Sequence, residues 1–327
     1  MTESNDTTTD SLSDDQLKRF EHDGYLLIPG VLEPSILIEP LFAEYSEVLD
    51  RLAHELRDRR EISSTYDDLE FGDRMIHIYQ ETGRDYARYF DPSLPMKGVT
   101  TDTAFWAGPA VFHILTHERV LDIVESVVGP EIYSNPVQHV RIKPPEHMLP
   151  EAAKDVLVRA NPWHQDNGVV NPIADDTNML TVWISLSEAS VENGCLHLIP
   201  GSHLGALRTH CARPSQLAIP DELLEHDRVT PIPTKPGDVI LMHRHTCHGS
   251  LPNVSDQFRW SLDLRYNPTG REAFPGFVAR SRRDSVRELR DPAAWAQLWY
   301  DARARLATQP EVQGHHSRWR GDEPVCA

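Results

Sequence analysis

The chain has 327 residues, of which 39% are hydrophobic, so it is long enough to bury a sizeable core. No apolar run approaches the roughly 18 residues that a membrane span needs, and the polar, acidic residues 1–15 lack the pattern of a signal peptide. The net charge is −18, with 50 acidic and 32 basic residues, and such a charge repels polyanions. We therefore expect a cytoplasmic protein, monomer or homodimer, that binds neither membranes nor nucleic acid.

The cysteines carry no recognisable framework. The chain has four of them, Cys195, Cys211, Cys247 and Cys326, without CxxC spacing. A chain of this size does not need disulfides to stabilise its core. We therefore expect free thiols in a reducing compartment.

The first 130 residues carry helical signals with one short strand. Ser13 followed by Gln16 fits a capping box, which predicts that a helix begins there. An apolar run at 25–28 with a glycine turn on each side is typical of a short buried strand. Apolar residues at three- and four-residue steps predict helices over 34–60 and 116–128. The aromatic-rich stretch between these helices has no clear period, and we expect short helices and loops there.

From Glu131 onward the pattern changes to short apolar runs separated by glycine and proline. The predicted strands lie at 132–142, around His164, and at 179–186, 194–199, 229–232, 239–248 and 258–266. This spacing favours a sandwich or jelly roll over alternating strand and helix units. Asp291 and Pro292 then fit the N-cap and the first position of a terminal helix.

The predicted organisation is one domain after a polar tail. The tail is 1–11, and the domain covers 12–327. Within the domain we expect a mainly helical part over 12–130, a β core over 131–268 and a C-terminal helical extension over 269–327. The predicted fold class is mainly β with surrounding helices.

A short polar stretch, Trp163-His164-Gln165-Asp166, lies in the β part. In an extended segment His164 and Asp166 share one face, because Cβ directions alternate along a strand. A second imidazole, from the distant His248, would complete a set of two nitrogens and one carboxylate oxygen. On one side of an ion this set leaves positions open, as in non-haem Fe(II) sites, although the same residue types also suit Mn, Zn or Cu.

Rival residues exist at two positions. His243 and His245 compete with His248, but in a regular strand they lie on the opposite face, so only one of the two sets points inward. Arg259 is a candidate for binding the carboxylate of a co-substrate, because guanidinium binds carboxylates in a bidentate way. Arg265 shares its strand face, and a surface ion pair is the simpler interpretation of Arg259.

Several short motifs follow one another along the chain. They are Asp23-Gly24-Tyr25, His164-Gln165-Asp166, Asn193-Gly194-Cys195-Leu196, Ile199-Pro200-Gly201-Ser202-His203, His248-Gly249-Ser250 and Phe258-Arg259. In order and spacing they resemble the motifs of the phytanoyl-CoA dioxygenase family of Fe(II)/2-oxoglutarate oxygenases. The resemblance extends over about residues 17–268, and it is least specific between about 60 and 130.

The resemblance implies a double-stranded β-helix, a cupin-like jelly roll wrapped by N-terminal helices. It implies Fe(II) bound by His164, Asp166 and His248, with 2-oxoglutarate and O2 as co-substrates. It further implies that Arg259 holds the distal carboxylate of 2-oxoglutarate and that Trp183 borders this molecule.

The resemblance also implies a further co-substrate contact on the strand before Pro144. His139 is the residue at this place, with Gln138 as the alternative. Lys97 corresponds to a family lysine in the less specific part of the resemblance.

The implied activity is hydroxylation of an unactivated C–H bond of a small molecule, with succinate and CO2 as co-products. Asp166 argues against the related iron halogenases, which have a small residue at that position. A CoA thioester, suggested by the family name, fits poorly with the net charge of −18. The alternatives from other classes are a Zn-dependent cupin-like hydrolase or isomerase, and a non-catalytic cupin that binds a small molecule.

Overall fold

The computed structural model describes residues 11–153, 157–213, 216–309 and 318–326, so the predicted tail lies outside it apart from Ser11. The helices of the described residues are α1 (Asp14–Asp23), α2 (Glu39–Asp58), α3 (Phe71–Thr82), α4 (Pro109–Leu115), α5 (Glu118–Val128), α6 (Asp166–Val169) and α7 (Pro292–Thr308). Their strands are β1 (Tyr25–Ile28), β2 (Glu131–Ser134), β3 (His139–Lys143), β4 (Leu180–Ser185), β5 (Leu196–Leu198), β6 (Cys211–Ala212), β7 (Leu217–Ala218), β8 (Thr230–Ile232), β9 (Val239–His243), β10 (His248–Ser250), β11 (Arg259–Pro268) and β12 (Phe277–Ser281). Within these residues, no helix is both long and apolar enough to cross a membrane.

Local signals set the helix ends that the sequence predicts. The Ser13 Oγ accepts a hydrogen bond from the Gln16 N–H, and the Gln16 side chain accepts one from the Ser13 N–H, which forms the expected capping box of α1. Asp291 caps α7 by accepting from the Ala293 N–H at 2.9 Å. Because these signals act within three residues, they can be read from the sequence.

The strands form two main antiparallel sheets. The large sheet has the order β1-β9-β4-β11-β2-β12, with β3 also paired to β11, and the small sheet has the order β10-β5-β8. One apolar cluster joins both sheets, and it contains Trp183, Ile240 and Met242 of the large sheet with Leu196, Leu198 and Ile232 of the small one. The sheets therefore enclose a common interior, and the fold is the predicted double-stranded β-helix.

The central strand β11 separates the helices from this interior. Trp260, Leu262 and Leu264 point to the outer face, where they belong to the large core formed with the helices. The Trp260 ring packs against the rings of Phe42 and Phe71, with a centroid distance of 4.8 Å in each pair. The alternate residues of β11 are polar and buried, so the inner face carries Arg259, Ser261, Asp263 and Arg265.

Two predicted strands are divided in the structure. The stretch 239–248 breaks into β9 and β10, which lie in different sheets, because 244–247 form the connection. The argument that His243 and His245 lie on the opposite strand face from His248 therefore does not apply, because these residues do not share one regular strand. The stretch 132–142 likewise divides into β2 and β3. A further strand, β12, was not predicted, and it pairs with β2 from within the stretch expected to be helical.

The expectation of four free thiols was wrong. Cys211 and Cys326 form a disulfide, with Cα atoms 5.4 Å apart across a sequence separation of 115 residues. Cys195 and Cys247 are free and buried. No local spacing can indicate the bonded pair, because tertiary folding alone brings these two residues together.

Candidate metal centre

Three side chains from two distant stretches meet inside the β-helix. His164, Asp166 and His248 each offer one ligand atom, and these atoms all lie within 4.8 Å of one another. The His164 Nε2 is 3.9 Å from the Asp166 Oδ1, and the two imidazole centroids are 4.2 Å apart. No member of the set is more than 4% exposed. The structure thus brings together the three residues that the sequence singles out, here termed the triad.

The backbone around the triad differs from the predicted strand. His164 and His248 exchange two N–H···O=C hydrogen bonds of 2.9 Å, which form an isolated bridge. Asp166 is not on a strand, because it begins the single-turn helix α6. Gln165 between them is extended, with φ −112° and ψ 137°, so the alternation that we inferred applies from His164 up to the start of this turn.

Hydrogen bonds to backbone carbonyls fix which nitrogen of each imidazole is free to bind a metal. The His164 Nδ1 lies 2.9 Å from the Pro162 carbonyl oxygen, and the His248 Nδ1 lies 2.9 Å from that of Thr246. A carbonyl oxygen only accepts, so both Nδ1 atoms carry the proton and the Nε2 lone pairs remain free for a metal. Burial, together with the neighbouring His248, lowers the pKa of His164 to about 3, so this ring is neutral at physiological pH.

The third member is held as a carboxylate. Burial alone would raise the pKa of Asp166, but Arg265, His248 and His164 together lower it to about 2. The Arg265 Nη2 donates to the Asp166 Oδ1 at 2.7 Å, and the Thr181 hydroxyl donates to Oδ2. Two imidazoles and one carboxylate are the donor set that suits a divalent transition metal, so the residues present fit Fe(II).

Arg259 lies beside the triad in a small inner cavity that His248 also lines. Its side chain is fully buried, and only its Nη1 has a partner, the Ser261 hydroxyl at 2.6 Å. Its buried Nε and Nη2 atoms have no hydrogen-bond partner among the described residues. Burial, and then Arg141, lower the pKa of Arg259 to about 9. Such an arrangement fits a carboxylate, since a buried donor without a partner is costly.

Trp183 lies in the wall of the inner cavity. The Arg259 Cζ lies 5.6 Å from the centroid of the Trp183 ring. Arg265 is not available for the same role, because it pairs with Asp166 and, at 3.0 Å, with Asp263. The structure thus separates Arg259 from its rival.

Two basic residues close to Arg259 were missed by the sequence reasoning. Arg141 and Lys143 lie on β3, and Lys143 pairs directly with Arg259 in the sheet register. The Lys143 Nζ donates to the Ser250 hydroxyl at 2.9 Å, and burial, Arg259 and Arg141 lower the pKa of this ammonium. The alternation Arg141-Ile142-Lys143 was the available signal, because it places both basic residues on one strand face.

The other candidates have different positions. His139 lines the cavity next to the triad, and its Nδ1 lies 3.0 Å from the buried Asp91 carboxylate. Gln138 instead donates to Ser134 and Asn135, so His139 is the residue that faces the cavity. Lys97 is exposed. His243 and His245 form a separate group with His203, at ring distances of 5.4 and 5.2 Å.

A larger outer cavity opens over the triad. It has a volume of about 350 Å³, and His164 and Asp166 form part of its wall. Most of the remaining wall is apolar, with Leu94, Met96, Val137, Leu157, Val169 and Leu217. Arg88, Asn171 and Gln216 add polar groups. A cavity of this size and character fits a small organic molecule.

The fold and the triad together define a class: a double-stranded β-helix with the two-histidine, one-carboxylate arrangement found in non-haem Fe(II) oxygenases. Comparison with known families identifies the family within this class. The family model "Phytanoyl-CoA dioxygenase (PhyH)" matches residues 20–261, and the chain belongs to this family of Fe(II)- and 2-oxoglutarate-dependent oxygenases.

Individual relatives agree with this assignment. The chain is 25% identical over 300 residues to phytanoyl-CoA dioxygenase domain-containing protein 1 of Bos taurus, which covers 81% of this chain and 98% of the relative. It is 29% identical over 169 residues to 1-deoxypentalenic acid 11-beta-hydroxylase of Streptomyces arenae, covering 46% of this chain and 55% of that one. The solved structure of the non-haem monooxygenase ThoJ shares the fold, with a TM-score of 0.54, 19% identity and coverage of 90% and 98%.

Proposed function

We propose that the protein hydroxylates an unactivated C–H bond of a small molecule, with Fe(II) held by His164, Asp166 and His248. The observation that carries the proposal is the convergence of these three buried ligand atoms within 4.8 Å, with His164 and Asp166 also lining a cavity of about 350 Å³. When bound, Fe(II) with 2-oxoglutarate and O2 supplies the oxidising power, and succinate and CO2 are the co-products. The chain's own part is to hold the reactants in place and to exclude water.

The inner cavity supports the binding of a dicarboxylate co-substrate there. Arg259 offers two unpartnered donors to its distal carboxylate, and Trp183 closes the wall beside it. Arg141 adds a second guanidinium to this cavity, and Asp263 is the one carboxylate among the described residues that line it. An excess of buried cations favours an anionic ligand, because the ligand relieves their repulsion. His139, at the rim of the outer cavity, is proposed as a further contact.

The outer cavity supports a small, largely apolar substrate with a few polar groups. The relative from Streptomyces arenae is named as a hydroxylase of an organic acid, which favours hydroxylation over another oxidation. A CoA thioester would bring several phosphates to a protein with a net charge of −18. We therefore propose a small natural product, amino-acid derivative or free acid as the substrate.

The cytoplasm is the location we propose, and the free thiols of Cys195 and Cys247 fit a reducing compartment. The disulfide between Cys211 and Cys326 is the observation against it, because stable disulfides are rare in reducing compartments.

The test is an assay of O2 uptake and succinate formation with Fe(II), ascorbate and 2-oxoglutarate, repeated with a panel of small organic acids. We expect succinate formation that an accepted substrate stimulates and that His248→Ala abolishes. His226→Ala, at an exposed histidine outside the cavities, is the matched control. Tightly held zinc without O2 uptake would instead favour a hydrolase or isomerase. Absence of succinate with every compound would favour a binding protein.

A further inference from the structure

The chain downstream of the family match reaches back to the triad. The matched region ends at residue 261, whereas the segment 318–326 lies against the turn that follows Asp166. We term these residues the C-terminal segment. Its contacts converge on α6, the single turn that begins with the proposed ligand Asp166.

The backbone of a single helical turn is not stabilised by its own hydrogen bonds alone. Helix α6 has only four residues, and a helix of this length satisfies few of its own carbonyl groups. The Asp166 carbonyl accepts from the Val170 N–H at 3.2 Å within the turn. The carbonyls of Asn167 and Gly168 accept from side chains of the C-terminal segment. The position of the Asp166 backbone therefore depends on groups outside the turn.

Two side chains of the segment supply these hydrogen bonds. The Arg318 Nη2 donates to the Asn167 carbonyl at 3.0 Å, and the Trp319 Nε1 donates to the Gly168 carbonyl at 2.7 Å. The same guanidinium forms a bidentate pair with Asp175, at 2.6 and 2.7 Å. Arg318 thus ties the segment both to the turn and to the loop after it.

The other side of the turn is held by His210. The Trp319 ring stacks on this imidazole, with centroids 5.3 Å apart and an interplanar angle of 24°. The His210 Nε2 accepts from the Gln165 N–H at 3.0 Å, directly before Asp166. The packing is close, because a Cβ at Gly168 would lie 2.0 Å from the His210 ring. His210 and Trp319 together therefore contact the backbone on both sides of the ligand.

The segment is fixed at its far end by a covalent bond. Cys326 is joined to Cys211, which follows His210 in the chain. Both ends of the C-terminal segment are thus fixed, the first through Arg318 and Trp319 and the last through the disulfide. Glu323 keeps the intervening residues compact by accepting from the N–H groups of Arg320 and Gly321.

We infer that Arg318 and Trp319 are positioning residues for the metal ligand Asp166, and that the Cys211–Cys326 disulfide holds them in place. The inference rests on the proposed function, since it assumes that Asp166 binds the metal. Groups that orient a ligand from behind typically change metal affinity by about 10- to 100-fold when removed. The segment lies outside the matched family region, which ends at residue 261.

The experiment measures Co(II) binding to the metal-free protein by calorimetry, without O2 or substrate. Trp319→Phe keeps the stacked ring but removes the donor to Gly168, Arg318→Gln removes the bidentate pair, and Cys326→Ser removes the anchor. Arg320→Gln is the matched control, because Arg320 is an exposed residue of the same segment. We expect about tenfold weaker Co(II) binding in the three test variants and no change in the control.

A second readout separates positioning from general stability. Hydrogen exchange should accelerate at the amides of 165–170 in the test variants, while the thermal midpoint of metal-free Trp319→Phe stays close to that of the unaltered chain. Unchanged Co(II) affinity and unchanged exchange at 165–170 in Trp319→Phe and Cys326→Ser would overturn the inference. If His164→Ala also leaves Co(II) binding intact, the metal site itself is wrong, and the proposed function fails with it.

Discussion

The guanidinium of Arg265 lies 2.7 Å from the Oδ1 atom of Asp166, and both side chains are almost fully buried. This pair keeps the carboxylate ionised where burial alone would favour the neutral acid. It also makes Arg265 unavailable for an incoming carboxylate. The sequence alone could not decide which arginine binds the co-substrate. In the structure Arg265 pairs with Asp166, whereas Arg259 lines the small inner cavity.

Replacing Arg265 should weaken metal binding. In Arg265→Gln the Asp166 carboxylate loses its closest cation, so its pKa rises and protons compete with the metal. We expect a 10- to 100-fold loss of Co(II) affinity, measured by calorimetry. Arg271→Gln, at an exposed arginine beyond the end of β11, is the control. Equal affinities in the two variants would show that the Arg265 pair does not support the ligand.

Replacing Arg259 should affect the co-substrate far more than the metal. Arg259→Ala removes two buried donors that have no other partner among the described residues. We expect the 2-oxoglutarate concentration for half-maximal succinate formation to rise roughly 10- to 100-fold, since a hydrogen bond to a charged group contributes about 1.5–3 kcal/mol. Co(II) affinity should change little. Equal losses of both affinities would assign Arg259 a structural role.

Local patterns predicted some features of this molecule and missed others, for a physical reason. The capping box at Ser13 and Gln16 depends on neighbours in the chain, so it is visible in the sequence. The disulfide between Cys211 and Cys326 depends on tertiary folding across 115 residues, which no spacing encodes. The donors to the α6 carbonyls come from an equally distant part of the chain.

The triad shows both sides of this limit. Its three members could be named because residue type and order resemble a known family. The turn that begins at Asp166 could not be predicted, because it looks the same in sequence as a continuing strand. Arg141 and Lys143 were visible as alternating basic residues, but only their pairing with β11 places them beside Arg259.

The outer face of β11 should carry a large part of the stability. Trp260 packs against Phe42 and Phe71 at 4.8 Å and against Tyr45 at 5.9 Å, and it is 7% exposed. Trp260→Ala would leave a cavity between α2 and the sheet. We expect a loss of about 3–5 kcal/mol in the free energy of unfolding, measured in urea. Trp260→Phe should lose less, and equal losses in both variants would mean that ring packing is not the cause.

The half-buried histidine cluster of His203, His243 and His245 predicts acid sensitivity. Burial, followed by His203 and His245, lowers the pKa of His243 to about 4, whereas an unfolded histidine titrates near 6.5. Between these values the unfolded chain binds a proton that the folded chain does not, so stability falls as the pH is lowered from about 6.5 to about 4.

Replacing His243 should make the free energy of unfolding depend less steeply on pH. One such site contributes up to about 1.4 kcal/mol per pH unit, and His243→Asn removes it while retaining an acceptor for the His245 N–H. Urea unfolding at pH 7.5 and 5.0 measures the difference. The same pH dependence in the variant and the unaltered protein would refute the assignment to His243.

The most direct test of the account is the absorption spectrum of the protein with Fe(II) and 2-oxoglutarate under anaerobic conditions. We expect a weak visible charge-transfer band that requires both additions and that disappears in His164→Ala and in Asp166→Ala. His226→Ala should keep the band at full intensity. A band of unchanged position and intensity in the two triad variants would contradict the account, because the iron would then bind elsewhere.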